Sequence, residues 1–314
     1  MNKFTEVTSS NRESIQQYLK KIFIPLKNSR KGNNGRILVI GGSELFHTAP
    51  LWAAQIASRF VDIVHLASTQ ENNQVFKKIK AKFNHGIVVR RDDLESYITE
   101  DDVVLIGPGM MREYNEKTFS EQNKTLKEIL SIKNEGSLTK ELVKYLIFNF
   151  KKKQFVFDAG ALQMMDPDWL RLLEKPAILT PHFKEFETLF GIDLSILTFD
   201  DQINTVRQMA IKYNCIILCK SYKDIISSWD EATIVTGGNQ GLTKGGTGDV
   251  LAGLVGGLSA KSDAFSSAVL GSYLVKTSAD QLFKTRGLWF NCEDLISQIP
   301  LSMTELVYNI ESVS

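Results

Sequence analysis

Residues 237–260, with the sequence GGNQGLTKGGTGDVLAGLVGGLSA, contain nine of the 21 glycines of the chain. In the middle of this stretch, a glycine-rich turn leads directly into a run of small residues that predicts a helix. The turn consists of Gly245, Gly246, Thr247 and Gly248. Because glycine has no Cβ, successive backbone N–H groups at a helix N-terminus can converge on one anion. We therefore expect this glycine turn to bind phosphate.

Asp249 follows the glycine turn, and two roles are open for it. An acidic residue in the first turn of a helix stabilises that end of the helix. A carboxylate beside an anion site is also where a general base would take the proton from a hydroxyl that attacks phosphorus. The turn lacks the GKS or GKT of a Walker loop, and no GxGxxG motif follows a strand as in a dinucleotide fold. The pattern therefore favours phosphoryl transfer at a different kind of phosphate site.

On the amino-terminal side of the glycine turn, short apolar runs alternate with longer stretches of helical pattern. RILVIGGS (36–43) predicts a strand that enters a glycine turn, and a helix follows through APLWAAQIASRF (49–60). Further predicted strands lie in DIVHLAS, HGIVV, DVVLIGPG, QFVFDAG, PAILTPH, CIILCK and DIISSW. Near-continuous apolar runs are typical of parallel strands that helices cover on both faces. The fold class predicted is α/β, with a mostly parallel central sheet flanked by helices.

Composition narrows the class of protein. The chain has 314 residues, of which 43% are hydrophobic and 23% charged, with a net charge of +1; this excludes disorder as the main state. The balanced charge disfavours nucleic-acid and membrane partners. We expect a cytoplasmic protein, because the chain lacks both an 18-residue apolar stretch and an apolar signal-peptide core. The cysteines, whose spacing favours buried free thiols, are Cys215, Cys219 and Cys292.

Six ordered motifs between about residues 20 and 300 resemble those of the NAD(P)H-hydrate dehydratases, a ribokinase-like family. They are KGNNGRILVIGGS with HTAPLWAAQIASR, LIGPG, FDAGAL, LTPHFKEFETLFG, CKSYKDII and GLTKGGTGDVLAG. The resemblance is to the stand-alone dehydratase and implies a three-layer sandwich. It also implies that ADP or ATP, with Mg²⁺, phosphorylates the ring hydroxyl of hydrated NADH or NADPH before phosphate leaves. Family members often form homo-oligomers, including tetramers.

The resemblance also implies roles for individual residues. Asp249 would be the catalytic base and would contact the substrate. The other substrate-binding residues would be Ala49, Gly109, Asp158 and His182. The nucleotide-binding residues would be Lys220, Ser221, Tyr222, Lys223, Asp224 and Asn239, together with Gly245, Gly246, Thr247 and Gly248. No protein residue is assigned to a metal. For Asn239, a turn role is an equally good interpretation, and Glu185 and Glu187 are expected to support the first turn of the following helix.

Several positions depart from the family pattern. They are Arg30, residues 59–62, Met110 and Met111, Gly160 and Ser221. We expect these departures to lie around the substrate more than around the phosphates, so they leave altered or weakened activity open. Two further functions stay open: a kinase of another small hydroxylated metabolite, and a catalytically weakened nucleotide-binding homologue. The motifs indicate one domain over 31–314, with residues 1–30 packed on it and a variable insertion at 112–137.

Overall fold

The computed structural model describes residues 4–78, 85–113 and 124–309. The strands in these residues are β1 (Thr5–Thr8), β2 (Arg36–Ile40), β3 (Ile63–Ala67), β4 (Gly86–Val88), β5 (Val103–Ile106), β6 (Gln154–Phe157), β7 (Ile178–Leu179), β8 (Ile216–Cys219), β9 (Asp224–Ser227) and β10 (Ala232–Thr236). The α-helices are α1 (Gln16–Leu19), α2 (Thr48–Ala57), α3 (Gln70–Lys78), α4 (Leu94–Glu100), α5 (Leu126–Leu130), α6 (Glu135–Asn149), α7 (Ala159–Met164), α8 (Phe183–Phe190), α9 (Phe199–Tyr213), α10 (Thr247–Ser259), α11 (Ala264–Arg286) and α12 (Cys292–Tyr308).

All ten strands form one sheet, in the order β1-β10-β9-β8-β7-β6-β5-β2-β3-β4. The strands from β8 to β4 in this order pair in parallel, whereas β9 is antiparallel to both β8 and β10. The predicted strand in DIISSW is thus antiparallel to its neighbours. At the same end of the sheet, the edge strand β1 pairs in parallel with β10. The prediction of a mostly parallel central sheet is confirmed.

The sheet separates two apolar layers. In β2, Ile37 and Val39 belong to a core shared with α2, α10, α11 and α12, while Leu38 and Ile40 belong to a core shared with α4, α6 and α7. Since successive side chains of a strand point to opposite faces, both faces of β2 are buried under helices. This is the three-layer sandwich expected from the family resemblance.

The first thirty residues and the 112–137 region bear on the predicted domain limits. Tyr18 of α1 is buried against α11, and its hydroxyl shares a hydrogen bond of 2.6 Å with the Thr233 hydroxyl of β10. Residues 114–123 lie outside the described part. The rest of the predicted insertion includes α5, whose Leu126 and Ile129 are buried in the core, and the start of α6. The domain limits stay a prediction.

Two negative findings hold for the described residues. No helix among them is long and apolar enough to cross a membrane. They also contain no group of three or more histidine, cysteine or acidic side chains placed to bind a metal ion. The three cysteines are buried and free, as predicted.

Candidate active site

The predicted site residues follow the carboxyl ends of neighbouring strands. Gly109 comes after β5, Asp158 after β6, His182 after β7 and Lys220 after β8, and these four strands lie side by side in the sheet. Parallel strands bring such residues to the same edge, which is the usual ligand site of open α/β sheets. An isolated parallel bridge between His182 and Lys220 continues the β7–β8 pairing beyond the strands.

A partly buried lysine, with its side chain 18% exposed, joins two carboxylates at this edge. The Lys220 ammonium is 2.9 Å from Asp158 Oδ1 and 3.7 Å from Glu185 Oε2. Asp158 is 2% exposed and Glu185 5% exposed, so both carboxylates lie well below the surface. Burial alone would lower the pKa of Lys220, but the two carboxylates outweigh burial and raise it. Lys220 is therefore a permanent positive charge.

Asp249 completes this group from the first turn of α10. Burial and, after it, the negative charges of Asp158 and Glu185 together raise the pKa of Asp249 to about 7, against the opposing positive charge of Lys220. Three carboxylates thus lie around one ammonium. One of the three, Asp249, is partly protonated near neutral pH. A carboxylate with a pKa near 7 is suited to accept a proton at physiological pH, because it is basic and still partly ionised there.

The glycine turn, residues 245–248, forms the N-terminus of α10. Gly246 is the residue before the helix and has φ 97°, a conformation that favours glycine. A Cβ on Gly246 would lie 2.1 Å from the Trp52 ring and 2.7 Å from Cys292 Sγ. On Gly248, a Cβ would lie 3.3 Å from Lys220 Nζ. The N–H groups of the first turn of α10 and the Lys220 ammonium therefore lie together, which is the arrangement expected for a phosphate site.

Replacing Gly246 by alanine should damage this turn. The added methyl group meets Trp52, and the backbone angle is unfavourable for alanine, so we expect Gly246→Ala to lower the free energy of unfolding by about 2–4 kcal/mol. ADP affinity should fall with it. Thermal denaturation and titration calorimetry measure the two effects. In the matched control Gly245→Ala, a Cβ has no neighbour within 4 Å, so its stability should change little. Equal stability of the two variants would contradict this account of Gly246.

Ala49 and Gly109 meet on the substrate side predicted from the family resemblance. Ala49 lies in the first turn of α2, and a Cβ built on Gly109 would be 3.1 Å from the Ala49 Cβ. Gly109 has φ 69°, a backbone conformation that is unfavourable for residues with a side chain. The structure thus brings these two predicted residues together.

His182 is the N-cap of α8. Its Nδ1 accepts hydrogen bonds from the backbone N–H groups of Lys184 and Glu185, at 3.1 and 3.2 Å. In return, Glu185 Oε2 accepts the His182 N–H at 2.9 Å, which forms a capping box. Because Nδ1 is an acceptor, the proton of the neutral ring lies on Nε2. This nitrogen lies 3.4 Å from Glu185 Oε1, so Glu185 contacts both the backbone and the ring of His182.

The predicted nucleotide segment 220–224 is only partly open to a ligand. Asp224 is buried, and its carboxylate accepts hydrogen bonds from Ser221 N and Ser272 Oγ and lies 3.4 Å from Lys276 Nζ. Tyr222, by contrast, is 84% exposed. Asp224 thus fixes the turn from inside, while the Tyr222 side chain is accessible. The remaining member, Lys223, has its ammonium over the Phe199 ring.

Asn239 has the turn role that the sequence left open. Its Oδ1 accepts the Gly241 N–H at 3.0 Å, and its Nδ2 donates to the Ala279 carbonyl at 2.8 Å. The side chain is therefore engaged in holding the segment that precedes the glycine turn against α11.

Comparisons with known proteins identify the family of the chain. The model of the NAD(P)H-hydrate dehydratase family matches residues 37–301. The chain belongs to this family. It is 33% identical over 285 residues to the bifunctional NAD(P)H-hydrate repair enzyme of Methanocaldococcus jannaschii, a match that covers 87% of this chain and 49% of that protein. It is 30% identical over 307 residues to the ADP-dependent (S)-NAD(P)H-hydrate dehydratase of Nitrosopumilus maritimus, a match that covers 93% of this chain and 97% of that protein.

The chain spans about half the length of the bifunctional relatives that it matches. Two solved structures resemble the fold. A ribokinase-like superfamily protein from Enterococcus faecalis has a TM-score of 0.75 and 20% identity, with 98% of each chain covered. The ADP/ATP-dependent NAD(P)H-hydrate dehydratase from Bacillus subtilis, co-crystallized with ATP/Mg²⁺, also has a TM-score of 0.75, with 21% identity over 96% of this chain and 99% of that one. The predicted ribokinase-like fold is confirmed.

Two departures from the NAD(P)H-hydrate dehydratase pattern contact each other. A Cβ on Gly160 would lie 2.3 Å from the Met110 carbonyl oxygen. Any side chain at position 160 therefore requires a different path of the chain at Met110. The sequence alone presented positions 110 and 160 as separate changes, whereas in the fold they form one altered contact behind the site.

The expectation that the departures lie around the substrate is wrong for two of them. Arg30 and residues 59–62 precede β2 and β3, and therefore lie at the amino ends of these parallel strands, away from the site. There, the Asp62 carboxylate accepts hydrogen bonds from the backbone N–H groups of Gly32 and Asn34, at 2.7 and 3.1 Å. Asp62 thus holds the loop before β2.

Glu185 has a larger part in the site than the sequence indicated. Its helix-supporting role is confirmed by the capping box, but its burial and its contact with Lys220 were not predicted. The HxxE spacing of His182 and Glu185 is a signal for a capping box only. The contact with Lys220 depends on strand order, which that spacing does not contain. Thr180, whose hydroxyl donates to Asp158 Oδ1 at 2.8 Å, was also missed.

Proposed function

We propose that this protein dehydrates hydrated NADH and NADPH at the expense of ADP or ATP, as a metabolite-repair enzyme. The observation that carries the proposal is Asp249, a carboxylate with a pKa of about 7, next to the glycine turn at the N-terminus of α10. The family match and the name of the Nitrosopumilus maritimus relative, an ADP-dependent dehydratase, support it and favour ADP as the donor.

In the proposed reaction, Asp249 accepts the proton of the hydroxyl on the hydrated nicotinamide ring. The hydroxyl oxygen attacks the terminal phosphorus of the nucleotide, and the bond from this phosphorus to the bridging oxygen breaks, which releases AMP from ADP or ADP from ATP. The backbone N–H groups of residues 246–248 stabilise the charge on the transferring phosphate. The C–O bond of the phosphate ester then breaks, phosphate leaves with the electron pair, and loss of a proton from the neighbouring ring carbon restores the double bond.

The residues present fit a Mg²⁺ ion. Asp158, Glu185 and Asp249 outnumber the one ammonium of Lys220, so the group favours an added cation. Mg²⁺ is usually held by one or two carboxylates together with substrate phosphates, and so needs no dedicated cage of protein ligands. Asp158 and Glu185 would hold the ion with the phosphates of the nucleotide. When bound, Mg²⁺ would neutralise charge on the transferring phosphate.

The decisive experiment mixes the purified protein with hydrated NADH, Mg²⁺ and either ADP or ATP, and follows the absorbance band of NADH. We expect the band to return, faster with ADP than with ATP, and to need both nucleotide and Mg²⁺. Omission of nucleotide is the control. If neither nucleotide restores the band while calorimetry detects nucleotide binding, the dehydratase function is wrong. A kinase of another hydroxylated metabolite, or a weakened nucleotide-binding homologue, would then be the better interpretation.

The ligands proposed are small molecules only: the hydrated dinucleotide and the adenine nucleotide. A cytoplasmic location, the absence of nucleic-acid and membrane partners, and a homo-oligomer, of which a tetramer is one form, remain predictions from the sequence and the family resemblance.

A further inference from the structure

Phe46 is a large apolar side chain that lies half-exposed at the edge of the site. It is 49% exposed and belongs to the turn between β2 and α2. A Cβ built on Gly109 would lie 3.1 Å from the Phe46 Cβ and 3.1 Å from the Ala49 Cβ. Phe46 and Ala49 therefore border the space that the missing side chain of Gly109 leaves free.

The turn that carries Phe46 is held firmly by hydrogen bonds. The Phe46 N–H donates to Ser43 Oγ at 3.0 Å, and the Phe46 carbonyl accepts the Ser43 N–H at 3.1 Å. Asn72, which is fully buried, donates from Nδ2 to the Ser43 carbonyl at 3.0 Å. The Glu44 N–H donates to Glu135 Oε1 of α6 at 2.8 Å. The backbone beneath the phenyl ring is thus fixed by bonds within the turn and by two helices, α3 and α6, although the ring itself remains half-exposed.

A fixed backbone and an exposed aromatic ring beside two small residues are suited to a flat, partly apolar ligand. Aromatic rings gain from offset or edge contacts with other rings, and such a contact removes apolar surface from water. We infer that Phe46 is a specificity-determining residue whose ring contacts the hydrated nicotinamide ring of the substrate. This inference rests on the proposed function.

The position of Phe46 distinguishes the two ligands of that reaction. Phe46, Ala49 and Gly109 lie after β2 and β5, whereas Lys220 and the glycine turn, which are proposed to hold the nucleotide, lie after β8 and at the start of α10. In the sheet, β6 and β7 separate β5 from β8. The glycine turn, which would hold the transferring phosphate, approaches α2 at Trp52. Phe46 therefore lies on the side of the transferring phosphate away from Lys220, and we assign its contact to the substrate.

The test compares Phe46→Ala, Phe46→Tyr and wild type in the hydrated NADH assay. Phe46→Ala should raise KM for hydrated NADH by roughly 5- to 50-fold. Its kcat should stay within about threefold, because the ring contact is made equally in the ground state and the transition state. KM for ADP should not change. Phe46→Tyr, which keeps the ring, should restore KM for hydrated NADH. Leu45→Ala, in the same turn and 67% exposed, is the matched control and should behave as wild type.

The outcomes separate the inference from the proposed function. If wild type restores the NADH band and Phe46→Ala has an unchanged KM, or if KM for ADP rises as much as KM for hydrated NADH, the role of Phe46 is wrong and the function stands. If wild type restores no absorbance, the proposed function is wrong and the inference falls with it. Thermal denaturation of each variant checks folding, and a misfolded Phe46→Ala is replaced by Phe46→Leu, for which the same rise in KM is expected.

Discussion

The Asp249→Asn variant is expected to lose turnover of hydrated NADH by a factor of roughly 10²–10⁴, the usual contribution of a general base, while it binds ADP about as well as wild type. Asparagine keeps the shape of the side chain but cannot accept the hydroxyl proton. Single-turnover kinetics measure the first effect and titration calorimetry the second. A large loss of ADP affinity would instead mean that Asp249 binds the nucleotide or caps α10.

The pH dependence of the free enzyme follows from the same residue. With a pKa of about 7, Asp249 is mostly protonated at pH 5 and almost fully ionised at pH 9. The value of kcat/KM should therefore rise with pH through about 7 and then level off. A profile that rises near pH 4 would contradict the raised pKa.

The stability of the folded protein should fall with rising pH, in contrast to kcat/KM. Because the pKa of Asp249 is higher in the folded protein than the ordinary value of 3.8, the folded state holds a proton that the unfolded chain has released between about pH 4 and 7. Wild type therefore loses stability over this range as pH rises. Asp249→Asn removes the buried charge, so above pH 7 it should be more stable than wild type, by roughly 2–4 kcal/mol at about 1.4 kcal/mol per pKa unit. The loss of a favourable charge at the helix N-terminus, about 0.3–1 kcal/mol, is smaller.

The apolar runs of the sequence predicted eight of the strands, because a strand buried on both faces leaves a continuous apolar signal. Two strands, β10 and β1, were not predicted, and the reasons differ. β10 carries the β-branched run ATIVT and was open to prediction by the same rule. β1 is a four-residue, largely polar strand whose partner is distant in the chain, since Thr5 pairs with Thr233. No local pattern encodes such a pairing.

The candidate site likewise has a part that the sequence predicted and a part that it did not. The glycine turn and Asp249 were predictable, because a phosphate site at a helix N-terminus is a local feature of consecutive residues. The contact of Lys220 with Asp158 and Glu185 was not, because it requires that β6, β7 and β8 be neighbours and end at one edge. The raised pKa of Asp249 follows from that contact group and from burial. It could therefore not be deduced before the fold was known.

Lys220→Met should have the largest effect on stability. It removes the one ammonium beside Asp158 and Glu185, which are both buried, and leaves their charges without compensation. Breaking a buried pair in this way costs about 3–5 kcal/mol. The loss should be greatest at pH 8 and smaller at pH 5, because the variant can protonate its uncompensated carboxyls as pH falls. Thermal denaturation at the two pH values measures this difference.

The matched control is Lys184→Met, which breaks the Lys184–Glu187 pair of 2.8 Å on the surface of α8. Water screens that pair, so its loss should leave stability nearly unchanged at both pH values. If Lys220→Met is too unstable to purify, the double variant Lys220→Met/Asp158→Asn removes one of the uncompensated charges and should regain part of the stability. A Lys220→Met protein as stable as wild type at pH 8, or a double variant less stable than the single one, would contradict the central role given to Lys220. Lys220 would then serve nucleotide binding alone. Its removal would lower ADP affinity and leave stability unchanged.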